Sequence, residues 1–219
     1  MTGRLKEICL ALPKARTLCD VGCDHGYCAQ YALKHNLCER VIITDISAGS
    51  LQKAQSLLKE EIASGRCIPV LCDGLTGVKE CDCVLIAGLG GEEIIRILSE
   101  RALPAKFVLQ PMRNGDKVRS FLLERGARIH RDYTFGDGGY YYDLIAGEGA
   151  GGDTYSEFEV LFGRDNLREL PAAFLLKIAE ERMKIKQRLT RKMSVKSREA
   201  LLQKLSVLEV VTDAIDDDL

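Results

Sequence analysis

Thr17-Leu18-Cys19-Asp20-Val21-Gly22-Cys23-Asp24-His25-Gly26-Tyr27 is an apolar run that ends in an acid and passes into a glycine turn. An amphipathic run from Tyr27 to Leu37 follows. That order predicts strand, tight turn, helix. In an open parallel sheet, ligands occupy the crevice beyond the carboxyl ends of the strands. Gly22 permits positive φ or close approach to a ligand, and the helix start offers free N–H groups there. The spacing is Gly22-x-x-x-Gly26, not the G-x-G-x-x-G that brings a backbone up to a pyrophosphate. Asp20 and Asp24 flank the loop. Two carboxylates repel a phosphate and favour a cation such as an ammonium or sulfonium. The plainer alternative is a tight turn with Asp24 as helix N-cap.

An acid-x-Gly turn after the first strand has the shape of an S-adenosylmethionine loop, where the methionine amine takes an acidic partner. Downstream acids extend the pattern. Arg40-Val41-Ile42-Ile43-Thr44-Asp45 reads as a buried strand ending in Asp45, placed to accept from both ribose hydroxyls. The alternative is a turn Asp or a cap shared with Ser47. The strand Cys67-Ile68-Pro69-Val70-Leu71-Cys72 ends in Asp73-Gly74. Asp73 can accept from an adenine amine, or the pair is a turn dipeptide. The strand Asp82–Ala87 runs into Gly88-Leu89-Gly90-Gly91, which admits a planar substrate or is simply a turn. The Asn/Asp-Pro-Pro-aromatic loop of amino-methylating enzymes is absent. After the strand Lys106–Leu109, Gln110 can bond a base edge and Arg113 can meet a phosphate. Both also suit a strand-end turn. Segments 127–135 and 140–147 flank Gly136-Asp137-Gly138-Gly139 and read as a β-hairpin at an antiparallel edge.

Hydrophobic and charged residues make up 46% and 29% of 219 residues, with net charge −1. This is ordinary globular composition, and bulk charge does not announce nucleic acid. No apolar run is long enough for a membrane span, and the first ten residues lack a signal-peptide core. The expectation is a cytoplasmic chain. Nine cysteines without zinc spacing read as reduced thiols, with no metal site. From about Leu167 strand signals cease. Leu175, Ile178, Ile185 and Leu189, then Leu201, Leu205, Leu208 and Ile215, form heptad-like seams, with Arg182 and Thr212 in the gaps. An antiparallel, coiled-coil-like helical hairpin is expected, breaking near Met193–Ser197. Residues 1–155 and 156–219 are the expected domains. Ten Lys and Arg between Lys177 and Lys204 face three Glu, and the chain ends in Asp213, Asp216, Asp217 and Asp218. The basic stretch is either a nucleic-acid footprint or a solvated helix face.

Asp20-Val21-Gly22-Cys23-Asp24-His25-Gly26-Tyr27, Cys72-Asp73-Gly74-Leu75, Ile86-Ala87-Gly88-Leu89-Gly90-Gly91-Glu92 and Leu109-Gln110-Pro111, with the helical tail, resemble the bacterial TrmK family. Its members are S-adenosylmethionine-dependent methyltransferases acting on N1 of adenine 22 in tRNA. The resemblance covers nearly the whole chain. It implies α/β architecture: a Rossmann-like class I methyltransferase domain with a mostly parallel seven-stranded sheet and antiparallel edge hairpin, plus a C-terminal helical hairpin. It places the cofactor at Asp20, Gly22, Asp24, His25, Gly26, Tyr27, Asp45, Ile46, Cys72, Asp73, Gly74, Ala87, Gly88 and Leu89. Many relatives carry Gly-Glu where this chain has Thr44-Asp45, and Asp keeps the carboxylate. Relatives often carry Asn where Met112 follows Gln110-Pro111.

The N1 of neutral adenine already bears an in-plane lone pair, so no obligatory base is assigned. Asp24 and Gln110 are the catalytic candidates, by positioning and electrostatics. Gly90, Gly91, Pro111 and Arg113 are candidates for the substrate side. Lys184, Lys186, Arg188, Arg191 and Lys192 would grip tRNA phosphates. A monomer and a weak dimer both fit the tail. Competing readings are methylation of another RNA, a protein or a small molecule, and a non-catalytic S-adenosylmethionine-binding partner protein. A nicotinamide oxidoreductase is disfavoured by the glycine spacing.

Overall fold

The computed structural model describes residues 2–217, with side chains through residue 212. The elements in order are α1 (Gly3–Leu10), β1 (Ala15–Val21), α2 (Tyr27–Lys34), β2 (Cys38–Asp45), α3 (Ala48–Leu57), α4 (Lys59–Ala63) and β3 (Cys67–Leu71). There follow β4 (Cys83–Leu89), α5 (Gly91–Ser99), β5 (Lys106–Pro111), α6 (Gly115–Glu124), β6 (Arg128–Asp137) and β7 (Tyr140–Glu148). The chain continues through α7 (Glu157–Phe162), α8 (Arg164–Glu169), α9 (Ala172–Leu189) and α10 (Val195–Asp217).

The sheet has seven strands in the order β3-β2-β1-β4-β5-β7-β6. Strands β1 to β5 pair in parallel, and β7 is antiparallel to β5 and β6. This is the expected sheet with its edge hairpin. Successive residues of one strand feed opposite faces. Leu18, Val41, Ile43 and Leu85 join one core with Ile8, Ala29 and Leu33. Cys19, Val21, Ile42 and Val84 join the other with Ile94, Ile97 and Val118. The strand order reverses direction between β1 and β4, so the crevice lies beyond their carboxyl ends.

The hairpin leaves β6 at the sheet edge, and α8 covers it. Asp165 Oδ2 accepts the Asp132 N–H at 2.9 Å, and Asn166 Oδ1 accepts the Thr134 N–H at 2.7 Å. Two edge-strand donors are thus satisfied by side chains, which blocks further strand pairing. Beneath them the Arg119 guanidinium is fully buried, with Nε 2.8 and 2.9 Å from the Asp132 oxygens and Nη2 3.2 Å from Asp143. Burial works against its charge, but Asp132 and Asp143 outweigh it and hold Arg119 above its ordinary value. These contacts tie α7 and α8 to the sheet. The compact unit accordingly runs to Glu169, downstream of the 155/156 boundary expected from composition.

The second unit begins at Leu170 and is the expected helical hairpin. Ser194 Oγ accepts the Ser197 N–H at the start of α10. Lys186–Glu209 and Lys204–Glu181 ion pairs join α9 to α10. The buried apolar residues of the hairpin are Phe174, Ile178 and Ile185 on α9 and Leu205, Leu208 and Val211 on α10. Phe174 takes the buried place expected of Leu175. Ile215 and the acidic end lie outside the described side chains. Among the described residues no helix is long and apolar enough to cross a membrane.

Candidate functional site

The first loop is docked onto β2. Gly22 and Cys23 N–H both donate to Thr44 O, at 2.8 and 3.0 Å, and Gly26 N–H donates to Cys23 O at 2.7 Å. Gly22 has φ +68 and open space where a side chain would stand. Helix α2 starts from Gly26, itself left-handed, with no side-chain cap. Asp24 is therefore not the N-cap. It adopts φ +45, a sparsely populated backbone region for a non-glycine residue that concentrates at functional sites. Its carboxylate projects outward, 3.6 Å from His25 Nε2 and 3.7 Å from Lys53 Nζ. His25 and Tyr27 stack at 5.5 Å, presenting an exposed aromatic face beside the loop.

Asp20 behaves differently. It is 5% exposed, and burial pushes its carboxyl up to about 7, with the Ala29 N–H opposing and Asp45 adding to the shift. An acid whose pKa rises on folding costs stability once ionised. The cost is absent below the unfolded value near 4, grows as pH rises, and is complete above about 7. Asp20→Asn keeps an acceptor for Ala29. It is expected to stabilise the chain by roughly 2–4 kcal/mol at pH 8, with the gain fading toward pH 4. Denaturant midpoints at pH 5 and pH 8 check this; a gain equal at both would place its origin elsewhere.

Asp45 ends β2 and joins the first two loops. Its Oδ1 accepts the Ser47 N–H at 2.8 Å and its Oδ2 accepts the Asp24 N–H at 3.2 Å. Ser47 caps α3 through Ser50, so the capping alternative holds locally, and the carboxylate retains lone pairs toward the crevice. Ile46, next in the chain, is 75% exposed. Strand β3 ends at Leu71, so Cys72 lies in the following loop, its Sγ 3.6 Å from Gly74 O. Asp73 is half-exposed, with Oδ1 2.5 Å from Arg96 Nη2. That ion pair engages Oδ1, and Oδ2 has lone pairs for a further donor. Gly74 O accepts from Thr44 Oγ1 at 3.1 Å, which ties this loop to β2.

The far wall is built from β4 and β5, and both strands run further than sequence periodicity indicates. Ala87 pairs with Gln110 and Leu89 with Pro111, with a register shift at Gly88 (φ +83). Such bulges re-aim a strand end beside sites. Gly90 stands before α5, where a side chain would meet Arg113 at 3.3 Å. Gly91 donates its N–H to Arg113 O, and a Cβ there would sit 2.4 Å from Asn114 O. Gly91 is thus required for backbone packing between the two loops. Gln110 is engaged within the protein. It is fully buried; its Oε1 accepts from Arg4 Nη1 at 3.1 Å and its Nε2 donates to Pro111 O at 3.0 Å. Since β5 continues through Pro111, position 110 belongs to the ladder, and both ends of its amide have protein partners. Pro111 is likewise buried, and Arg113 is exposed.

Arg4 is the residue sequence reading missed. It arrives from α1, 106 positions from Gln110, with its guanidinium 5.6 Å from the Tyr142 ring centroid. Nothing local in the sequence marks it. No group of three or more His, Cys, Asp or Glu among the described residues is placed to hold a metal.

The arrangement fits S-adenosylmethionine by its donor set. Carboxylates stand at or just beyond the ends of three adjacent parallel strands, Gly22 leaves open space where a side chain would stand, and the exposed side chains of Tyr27 and Ile46 offer apolar surface for a base. No phosphate-binding glycine spacing is present.

A family model for a methyltransferase domain matches residues 1–145. A candidate tRNA methyltransferase of Mycoplasma pneumoniae (strain ATCC 29342 / M129 / Subtype 1) is 33% identical over 135 residues, 61% of this chain. That match spans 63% of the Mycoplasma relative's own length, less than two thirds. The tRNA (adenine(22)-N(1))-methyltransferase of Bacillus subtilis (strain 168) is 28% identical over 192 residues, covering 83% of this chain and 81% of that protein. Among solved structures, a candidate tRNA (m1A22) methyltransferase of Streptococcus pneumoniae in complex with S-adenosyl-L-methionine superposes with TM-score 0.87 at 25% identity, covering 96% of this chain and 99% of that one. M. capricolum TrmK with S-adenosyl-homocysteine shares the fold, with TM-score 0.87 at 20% identity over 97% of this chain and 98% of that one.

Proposed function

The chain belongs to the methyltransferase-domain family, and from that premise we propose that it methylates N1 of adenine 22 in tRNA, using S-adenosyl-L-methionine. The observation that carries the reading is the row of acids at the ends of β1, β2 and β3 around the open face of Gly22. The names of the relatives above support the choice of substrate. Bound in this crevice, S-adenosyl-L-methionine supplies an electrophilic methyl carbon on a sulfonium.

The chain's own residues hold and orient. Asp45 receives the ribose hydroxyls, Asp73 the adenine amine, and Asp20 with Asp24 favour the ammonium. Adenine N1 presents a lone pair without deprotonation, so the protein's task is alignment rather than base catalysis. N1 lies on the pairing edge, and the target base must leave its stack to reach the site. The turn through Gly88 and Gly90 gives it room, and Arg113 stands ready for its phosphate. Methylation leaves a cationic ring, which the outward carboxylate of Asp24 stabilises. The reaction belongs in the cytoplasm, with tRNA as partner.

The test is transfer from labelled S-adenosylmethionine to unmodified tRNA transcripts, followed by nucleoside analysis. N1-methyladenosine at position 22 is expected. Transfer to another RNA, or to no RNA despite cofactor binding, would overturn the substrate and keep the cofactor.

In the tail, Lys184 and Lys186 pair with Glu180 and Glu209. Arg188, Arg191 and Lys192 are exposed and cluster at the turn between α9 and α10. We assign them the phosphate contacts. Reversing all three to Glu is expected to weaken tRNA binding at least tenfold and flatten its salt dependence, by about one slope unit for each phosphate no longer neutralised. Unchanged affinity and slope in filter binding would make the tail a protein-docking element instead.

A further inference from the structure

Arg4 is half-buried and placed with unusual care. Its backbone N–H donates to Asp137 Oδ2 at 2.9 Å, and a Cβ on the preceding Gly3 would collide with that carboxylate at 2.5 Å. The start of α1 is thus pinned to the turn of the β6–β7 hairpin. Among the described residues the guanidinium, by contrast, meets neutral groups: Gln110 Oε1 at 3.1 Å, Met112 Sδ at 3.5 Å and the Tyr142 ring. Among the described residues no carboxylate pairs with it. A partly desolvated guanidinium without an anion is incomplete, because its strongest partners are bidentate oxyanions.

Its place says which oxyanion. The guanidinium lies 3.4 Å from where a Gly88 side chain would begin, at the end of β4. Arg4 therefore stands at the carboxyl end of β4, beside the crevice between β1 and β4. A free amino acid moiety carries an ammonium and a carboxylate on one carbon. Asp20 and Asp24 suit the first and repel the second.

Building on the methyltransferase reading, we propose that Arg4 is the receptor for the α-carboxylate of the cofactor's methionine moiety, with Gln110 and Tyr142 as positioning residues. The two charges of the amino acid are then met by separate groups, the ammonium by the acids and the carboxylate by Arg4, which fixes the direction of the tail.

Calorimetric titration of the full chain tests this, using S-adenosylmethionine and decarboxylated S-adenosylmethionine. Arg4→Gln is expected to lose about 30-fold in affinity for the first, the scale of a hydrogen-bonded charge, and to change less than threefold for the second. Arg4→Lys should recover part of the loss. Wild type alone provides a check independent of any variant's folding: it should bind the decarboxylated compound more weakly. Equal binding of both compounds by wild type, or an equal loss on both in Arg4→Gln, overturns the assignment. So does a fall in tRNA affinity with cofactor binding intact, which would give Arg4 to an RNA phosphate. If wild type binds S-adenosylmethionine not at all, the methyltransferase reading falls first.

Discussion

Asp45→Ala is expected to weaken S-adenosylmethionine binding about a hundredfold, with the domain still folded. Two effects combine. The carboxylate would no longer accept from the ribose diol, and hydrogen bonds to a charged acceptor are worth about 1.5–3 kcal/mol each. The first loop would also lose its anchor, since Asp45 Oδ2 holds the Asp24 N–H at 3.2 Å while Oδ1 holds Ser47 at 2.8 Å. Asp24 sits at φ +45, a conformation that persists only where its surroundings impose it. Asp45→Asn separates the two effects: it keeps the shape and one acceptor but removes the charge, and should lose about tenfold. Asp45→Glu should retain measurable affinity, because the acid survives on a longer arm. Titration calorimetry supplies the constants. Binding within threefold of wild type in Asp45→Ala would reduce Asp45 to a cap for the Ser47 turn and move the ribose elsewhere.

Arg119→Met should be the most damaging change away from the crevice, costing about 3–5 kcal/mol and lowering the melting temperature by roughly 10 °C for a chain of this size. The guanidinium and the Asp132 carboxylate are both fully buried. Removing the cation strands Asp132 in the interior and takes one partner from Asp143, which also accepts from Thr134 Oγ1 at 2.8 Å. Val160 O and the Arg164 N–H join the same cluster, so the loss should spread to α7 and α8 and uncover the β6 edge. Amide exchange at Asp132 and Thr134, whose N–H groups are capped by Asp165 and Asn166, should accelerate before the central strands open. Arg119→Met with Asp132→Leu should recover much of the loss, since an apolar pair of similar volume replaces the ion pair. A melting temperature within 2 °C of wild type in the single variant would show that the cluster does not hold the edge.

Both predictions bear on how far a linear reading reaches. The row of acids was legible because each follows an apolar run directly: a strand's end and the residue after it are set by the local chain. Alternation and turn glycines likewise identify the hairpin, and the 3.6-residue period identifies the tail helices. Arg119 could have been suspected, since it follows Val118 on a face buried with Leu122, where a charge demands a partner. The partner itself was not legible, because Asp132 and Asp143 come from the hairpin.

The sequence by itself determined the class of fold, a ligand crevice beyond the carboxyl end of the first strand, and the acids that give it a preference for a cation. Those are consequences of hydrophobic period and strand-end chemistry, which act over a few residues. Tertiary structure alone decided the orientation of each wall. Strand β5 runs on to Pro111, which turns Gln110 into the ladder. The Arg113–Asn114 backbone presses on Gly91, which makes that glycine a packing requirement. Asp137 draws α1 across the sheet end, which delivers Arg4 to the crevice. Each is a contact between segments far apart in sequence, governed by register and close packing, and no local pattern encodes it.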